Sequence, residues 1–420
     1  MTNIHALIES MTNQLKDEII SFIQQLVQTP SLANEEGPVQ KLIFNKLQSL
    51  NLQSETIPVK FDDIKDHPAF NDDGFSPDSR INVIGQWNSN KKGRSLILNG
   101  HVDVVPTGPE KLWTESPWSG AIKNDRIYGR GSCDMKAGLA SGIFAIQVLK
   151  SIGFEPSGNI MIQSVIGEES GGCGTLTNIV KGYRADAAVI LEPTSLKLCP
   201  IQSGALTFRL IIPGKATHAA MRWDGVSAIE KFNIISQSII EFEKKRHSSF
   251  SVEYYESPER VARINIGTIK GGEWHSTVPE SVIAEGRLGV FPGESVSDAR
   301  MAFSQHLKKV SDSDLWLKEN PPILEWFEGQ FESGKTDVEH SIINNLEMAY
   351  KEVNNSSAKI EGVTYGSDLR LFTNHADIPA VLFGPGDVRL AHSANEYVKI
   401  EEVLTCIKII SNLIINWCEE

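Results

Sequence analysis

Cysteine is scarce in this chain. There are five in 420 residues, Cys133, Cys173, Cys199, Cys406 and Cys418, with no CxxC pair and no regular spacing. That excludes a disulfide framework and a thiolate zinc finger, and reduced thiols predict a cytoplasmic setting. No apolar run approaches the length of a membrane span, so no membrane partner is expected. Residues 1–29 read as one amphipathic helix and lack the basic-then-apolar order of a signal peptide. Positive charge is in deficit, with 40 Lys and Arg against 53 Asp and Glu and a net charge of -13. A nucleic-acid partner, which selects a basic stripe, is not expected. The glycines of 167–174 are not followed by Gly-Lys-Ser/Thr, so they do not form a phosphate cradle of that kind. No internal repeat is visible.

The remainder is ordinary for a globular protein: 40% hydrophobic and 22% charged residues. The length exceeds one ordinary core and predicts two domains. Strand-like runs at 81–85, 95–98, 160–166 and 187–191 alternate with helix-like ones, which predicts an α/β sheet with helices on both faces. The style changes near Gly204. Strand, helix, two strands and helix follow, and 321–327 is available as a closing strand. That order predicts an inserted ferredoxin-like α+β domain. The expected fold is therefore a three-layer α/β catalytic domain with a mixed sheet, discontinuous over 1–203 and 328–420, around an inserted domain at 204–327.

Chemistry-bearing residues gather at strand ends. Asn99-Gly-His101-Val-Asp103 closes the buried run 95–98. Side chains two apart on a strand share a face, so His101 can ligate a metal while Asp103 accepts a hydrogen bond from its other ring nitrogen. Asp134 sits in Tyr128-Gly-Arg-Gly-Ser-Cys-Asp134-Met-Lys-Ala-Gly138. An N-cap explains the aspartate but not the glycines around it; the functional reading is a carboxylate with two usable oxygens, able to bridge two cations. Glu168 and Glu169 end the run 160–166, and adjacent carboxylates at a sheet mouth repel unless cations are present. One can bind metal while the other stays free as a general base. Glu192 follows 187–191 at the carboxyl end of a strand, where open α/β sheets place their sites. His392 completes the set. Two imidazoles and several carboxylates without thiolate suit two divalent ions. The combination points to metal-assisted hydrolysis.

These motifs resemble the acetylornithine deacetylase and succinyl-diaminopimelate desuccinylase family of di-zinc amidohydrolases, which includes aminoacylases and carboxypeptidases. The resemblance covers nearly the whole chain. It rests on Gly100-His-Val-Asp-Val-Val-Pro, the segment 128–138, Gly167-Glu-Glu, Leu191-Glu-Pro and Ala391-His-Ser-Ala-Asn-Glu396, in the family's order. It implies that His101 and Glu192 hold one zinc ion and Glu169 and His392 the other, with Asp134 bridging. Cobalt or manganese are the alternative metals. Glu168 becomes the general base toward the attacking water, Asp103 orients His101, and the Asp134–Met135 peptide is cis. The inserted domain becomes a lid that makes a homodimer. Through Lys215-Ala-Thr-His218-Ala-Ala, His218 reaches the other subunit's site to stabilise an oxyanion. Asn265, Arg287 and Arg370 match substrate-binding positions, with a surface salt bridge as the alternative reading of each arginine. Ser276-Thr-Val-Pro279 departs from the family's Asn before Val-x-Pro, which weakens any transfer of detailed substrate preference. The implied substrate is an N-acyl amino acid, N-acetylornithine first. Succinyl-diaminopimelate, formyl-amine and dipeptide substrates are the alternatives.

Overall fold

The computed structural model describes residues 2–72, 74, 76 and 80–419. The chain forms two units, one of Met1–Pro200, Lys335–Glu361 and Ser367–Glu420, the other of Ile201–Gly334 and Gly362–Gly366.

The first unit is built on a mixed sheet. Its strands run in the order Gln53–Pro58, Ile81–Trp87, Ile160–Val165, Leu96–His101, Ala187–Ile190, Ala380–Leu382, Leu198–Gln202 and Gly334–Lys335, and Ile360–Val363 pairs with Leu198–Gln202. The middle four are parallel. Such strands are covered on both faces and so read as continuous apolar runs. All six residues of Leu96–His101 are buried. Alternation sends neighbours to opposite layers. Leu98 lies beneath Gly142 of the helix Ala137–Ser151. Asn99 donates to Thr175 of the helix Cys173–Val180 on the other side. The two helical layers and the sheet make the three-layer arrangement that the sequence predicts. The register aligns His101 with Val165 and Asn99 with Ile190. The segments that follow these strands therefore leave the sheet along one edge.

Two local readings need correction. The amphipathic stretch at the start is two helices, Thr2–Gln14 and Lys16–Gln28, interrupted at Leu15; Met1 lies outside the described residues. The closing strand of the inserted domain runs over Ile323–Phe331, so the 327/328 boundary falls inside it and the second unit continues to Gly334.

The second unit is a four-stranded antiparallel sheet in the order Ile264–Gly271, Ser281–Val290, Gly204–Pro213, Ile323–Phe331. The helices Ala228–Ser249 and Val296–Asp312 cover one face. Chain order and sheet order together are ferredoxin-like, as expected. Leu206, Phe208, Leu210 and Ile212 alternate along the central strand into that core. Each such side chain contributes about 1.5–3 kcal/mol on burial. The opposite face carries Thr207, Arg209, Asn265, Glu285 and Arg287. They line an open recess of about 430 Å³ together with Phe327.

Candidate metal centre

His101 is the last residue of its strand and is 1% exposed. Its Nδ1 lies 2.9 Å from the Asp103 carbonyl oxygen, which fixes the ring and leaves Nε2 facing the sheet edge. The Asp103 carboxylate, expected as the acceptor, is farther away at 3.7 Å. Its Oδ2 accepts the Glu169 backbone N–H at 3.1 Å instead. Asp103 thus links two site segments, with its carbonyl in the orienting role.

Around His101 Nε2 stand Asp134 Oδ1 at 3.1 Å, Glu192 Oε1 at 3.9 Å and Glu168 Oε2 at 4.0 Å. The second oxygen of Asp134, Oδ2, is 3.4 Å from His392 Nε2, which is 3.0 Å from Glu169 Oε2. One carboxylate thus presents its two oxygens to two imidazoles. His101, Asp134 and Glu169 form one set whose ligand atoms all lie within 4.8 Å of one another, and His101, Glu168 and Glu192 form another. The peptide between Asp134 and Met135 is cis. Gly167, Gly171 and Gly172 all have positive φ in the turn that carries Glu168 and Glu169. That backbone shape is the reason for the glycines there.

The model of peptidase family M20/M25/M40 matches residues 97–416. The chain belongs to this family. It is 30% identical to N-formyl-4-amino-5-aminomethyl-2-methylpyrimidine deformylase of Bacillus subtilis (strain 168), over 98% of this chain and 97% of that protein. It is 24% identical to a probable succinyl-diaminopimelate desuccinylase of Staphylococcus aureus (strain MRSA252), over 98% of this chain and 100% of that one. An M20 family metallo-carboxypeptidase from Sulfolobus solfataricus has the same fold, with a TM-score of 0.76 at 19% identity, covering 96% of this chain and 100% of its own. The protein is thus a hydrolase of the M20 amidohydrolase and peptidase kind. None of its described helices is long and apolar enough to cross a membrane.

The M20 cluster is electrostatically costly as it stands. Burial pushes the Glu168 and Glu192 carboxyls well above their usual range, and the neighbouring carboxylates add to the effect. Burial and Asp134 raise Glu169 as well. Asp134 is held low against its burial by hydrogen bonds to His101 and His392. Hydrogen bonds to Asp134 and Glu169 in turn raise His392 to about 10. Four carboxylates and two imidazoles gathered this closely need positive charge, and two divalent cations would balance four carboxylates. The donors are oxygen and imidazole nitrogen. Cys133, the residue before Asp134, has its Sγ donating to the Asp387 carbonyl. The residues therefore fit hard or borderline divalent ions.

The other expected site residues lie elsewhere. Arg370 is wholly buried, and its Nη2 donates to the Gly171 carbonyl at 2.8 Å, under the turn that carries Glu168. Its burial rules out the surface salt bridge. His218, Asn265 and Arg287 belong to the second unit. His218 is exposed and caps a short 3-10 turn, its Nδ1 accepting from Ala220 N at 3.0 Å. Asn265 and Arg287 are paired across adjacent strands, and Arg287 donates to the Thr364 carbonyl.

Several charged residues beside the site escape a reading by motif. Asp368 accepts from Thr175 at 2.5 Å within the first unit's core. Lys136 is fully buried and donates to the Leu26 and Thr29 carbonyls, with its ammonium pushed down to about 7 by burial. Glu396 and Arg130 form a buried pair. Lys136, Arg130 and Glu396 stand within motifs already quoted. Sequence carries no signal for their burial, because it does not show which charged positions are packed away from solvent.

Proposed function

We propose that this protein is a two-metal amidohydrolase that removes a small acyl group, formyl first, from an amine. The single observation that carries the metal reading is Asp134, with one oxygen toward His101 and the other toward His392. In this reading His101 and Glu192 would hold one ion and Glu169 and His392 the other, with Asp134 able to serve both. Zinc is the first choice and cobalt or manganese the alternatives. Bound there, such ions polarise an amide carbonyl and acidify water.

The chain's own part is acid–base chemistry and orientation. Glu168, 7% exposed at the sheet edge, takes a proton from the attacking water. It returns that proton to the nitrogen as the C–N bond breaks, the second water proton leaves the new carboxyl for the amine, and formate and the protonated amine depart. Asp103 and its carbonyl keep His101 in one orientation. His218 is the candidate oxyanion donor, offered to the other subunit of a homodimer formed through the second unit. Asn265 and Arg287 are candidate substrate contacts, and Arg370 acts from beneath the Glu168 turn. The dimer reading is supported by exposed apolar side chains on that unit, Ile229 and Ile240 on its first helix and Ile269 on an edge strand.

The acyl group is argued from likeness. End-to-end similarity is higher to the deformylase than to the desuccinylase, 30% against 24%. Formyl therefore stands first, ahead of the acetyl group suggested by the motif style, with succinyl behind. The test is amine release from matched N-formyl, N-acetyl and N-succinyl amines, including an N-formyl aminomethylpyrimidine and N-acetylornithine, by metal-loaded protein with Glu168→Ala alongside. Release from the formyl compounds, lost in the variant, supports the reading. Preferential acetyl or succinyl release moves the acyl assignment, and no release from any amide rejects it.

A further inference from the structure

Glu396 is wholly buried and spends both carboxylate oxygens on one segment. Oε1 accepts the backbone N–H of Cys133 at 2.9 Å and of Asp134 at 3.1 Å. Oε2 accepts from Arg130 Nη1 at 2.6 Å. Arg130 is 2% exposed and also reaches the carbonyls of Pro106, which follows His101 and Asp103, and Ser393, which follows His392. The Glu396 carbonyl in turn accepts from Gly129 N at 2.9 Å. One carboxylate and one guanidinium thus tie together three loops that deliver His101, Asp134 and His392.

A buried ion pair is a poor way to gain stability, because desolvation offsets most of the attraction. An apolar pair would fill the same space. A carboxylate can instead accept two adjacent backbone N–H groups through one oxygen while the other meets a guanidinium, and charge-assisted hydrogen bonds define this geometry best. Those two amides belong to Asp134 and to the residue before it.

We propose that Glu396, seated on Arg130, is a positioning residue that sets Asp134 between His101 and His392 and so assembles the two-ion site. This rests on the two-metal reading above. The pair acts through Asp134 and touches neither substrate nor ion. In Glu396→Gln one amide oxygen can still accept from the two N–H groups, but the amide NH2 then meets the Arg130 donor. Arg130→Lys keeps the charge opposite Oε2, whereas Arg130→Met removes it.

The experiment measures Co2+ binding to the full chain by competition with a chromophoric chelator, the cobalt visible spectrum, and the urea stability of the metal-free protein. Leu413→Ala, a core truncation in the same unit on the helix Ile400–Cys418, gives the effect of instability alone. Glu396→Gln and Arg130→Met are expected to weaken at least one cobalt ion about 10–100-fold, the usual effect of losing a partner of a metal ligand. The cobalt spectrum should change, while Leu413→Ala keeps wild-type affinity and Arg130→Lys stays within a few-fold of it. Wild-type affinity and spectrum in both Glu396→Gln and Arg130→Met would overturn the proposal, as would an equal loss in Leu413→Ala. If Glu396→Gln does not fold, the contrast between Arg130→Lys and Arg130→Met decides. Failure of the wild type to bind cobalt would instead reject the two-metal reading, and this proposal with it.

Discussion

Glu169 and His392 lie 223 residues apart in sequence, yet their side chains meet at 3.0 Å, Oε2 to Nε2. The contact joins a turn at the end of a central strand to a loop near the end of the chain. His392 has φ of 58° and a side chain 54% exposed, so little of the core depends on it. His392→Ala takes the imidazole from Asp134 and Glu169 without opening the core. Equilibrium dialysis should show one tightly bound divalent ion where the wild type holds two. Two ions retained at unchanged affinity would remove His392 from the ligand set.

Glu168 is tested by charge rather than size. Glu168→Gln preserves volume and abolishes proton transfer, so kcat should fall by about 10²–10⁴. KM and metal content should stay within a few-fold. A variant retaining more than a tenth of wild-type kcat would show that another group moves the proton.

Much of this site was legible because strand ends are legible. His101, Glu169 and Glu192 follow apolar runs, and parallel pairing brings such ends to one edge. The inserted unit was legible from the order of its strands and helices. Contacts that depend on packing between loops distant in sequence were not. Asp103 was recognised, but sequence could not show that its carbonyl approaches His101 more closely than its carboxylate does. Arg370 read equally as a surface or a substrate arginine, and only the packed structure places it under Gly171. Glu396 was quoted as part of a motif, but its role depends on a partner 266 positions away. Buried charges carry no periodic signature, so chain folding alone reveals them.

Close packing supplies a further prediction. The helix that begins at Ala137 presses Gly138 against the strand end that leads into Glu192. A Cβ there would stand 1.9 Å from the Leu191 carbonyl oxygen. Backbone on both sides cannot yield as a flexible side chain would. Gly138→Ala should cost about 3 kcal/mol or more in urea unfolding. It should also weaken metal binding by shifting Glu192. Gly37, where a Cβ meets nothing within 4 Å, is the control, and Gly37→Ala should stay near wild type. Equal behaviour of the two variants would contradict the packing argument.

The second unit offers a prediction in pH. Asp314 caps the helix Leu315–Glu319, with Oδ1 accepting from Trp316 N and Leu317 N at 3.0 and 2.9 Å. Its Oδ2 accepts from Lys231 at 2.7 Å. Burial alone would raise this carboxyl, but Lys231 and the two amides more than offset it and hold the group below its usual range. A carboxyl depressed by folding contributes stability above its unfolded pKa, about 3.9 for Asp, and loses it as pH falls through the lower folded value. Asn caps about as well as Asp, so Asp314→Asn removes the charge and leaves the cap. The wild type should exceed the variant by up to about 1 kcal/mol near pH 6–7. The difference should shrink toward zero as pH falls through the depressed folded value and the wild-type carboxyl takes up its proton. Urea unfolding of both proteins across this range checks it. A gap that is constant with pH would mean that the interaction is one of shape, and a gap that widens in acid would reverse the sign of the shift.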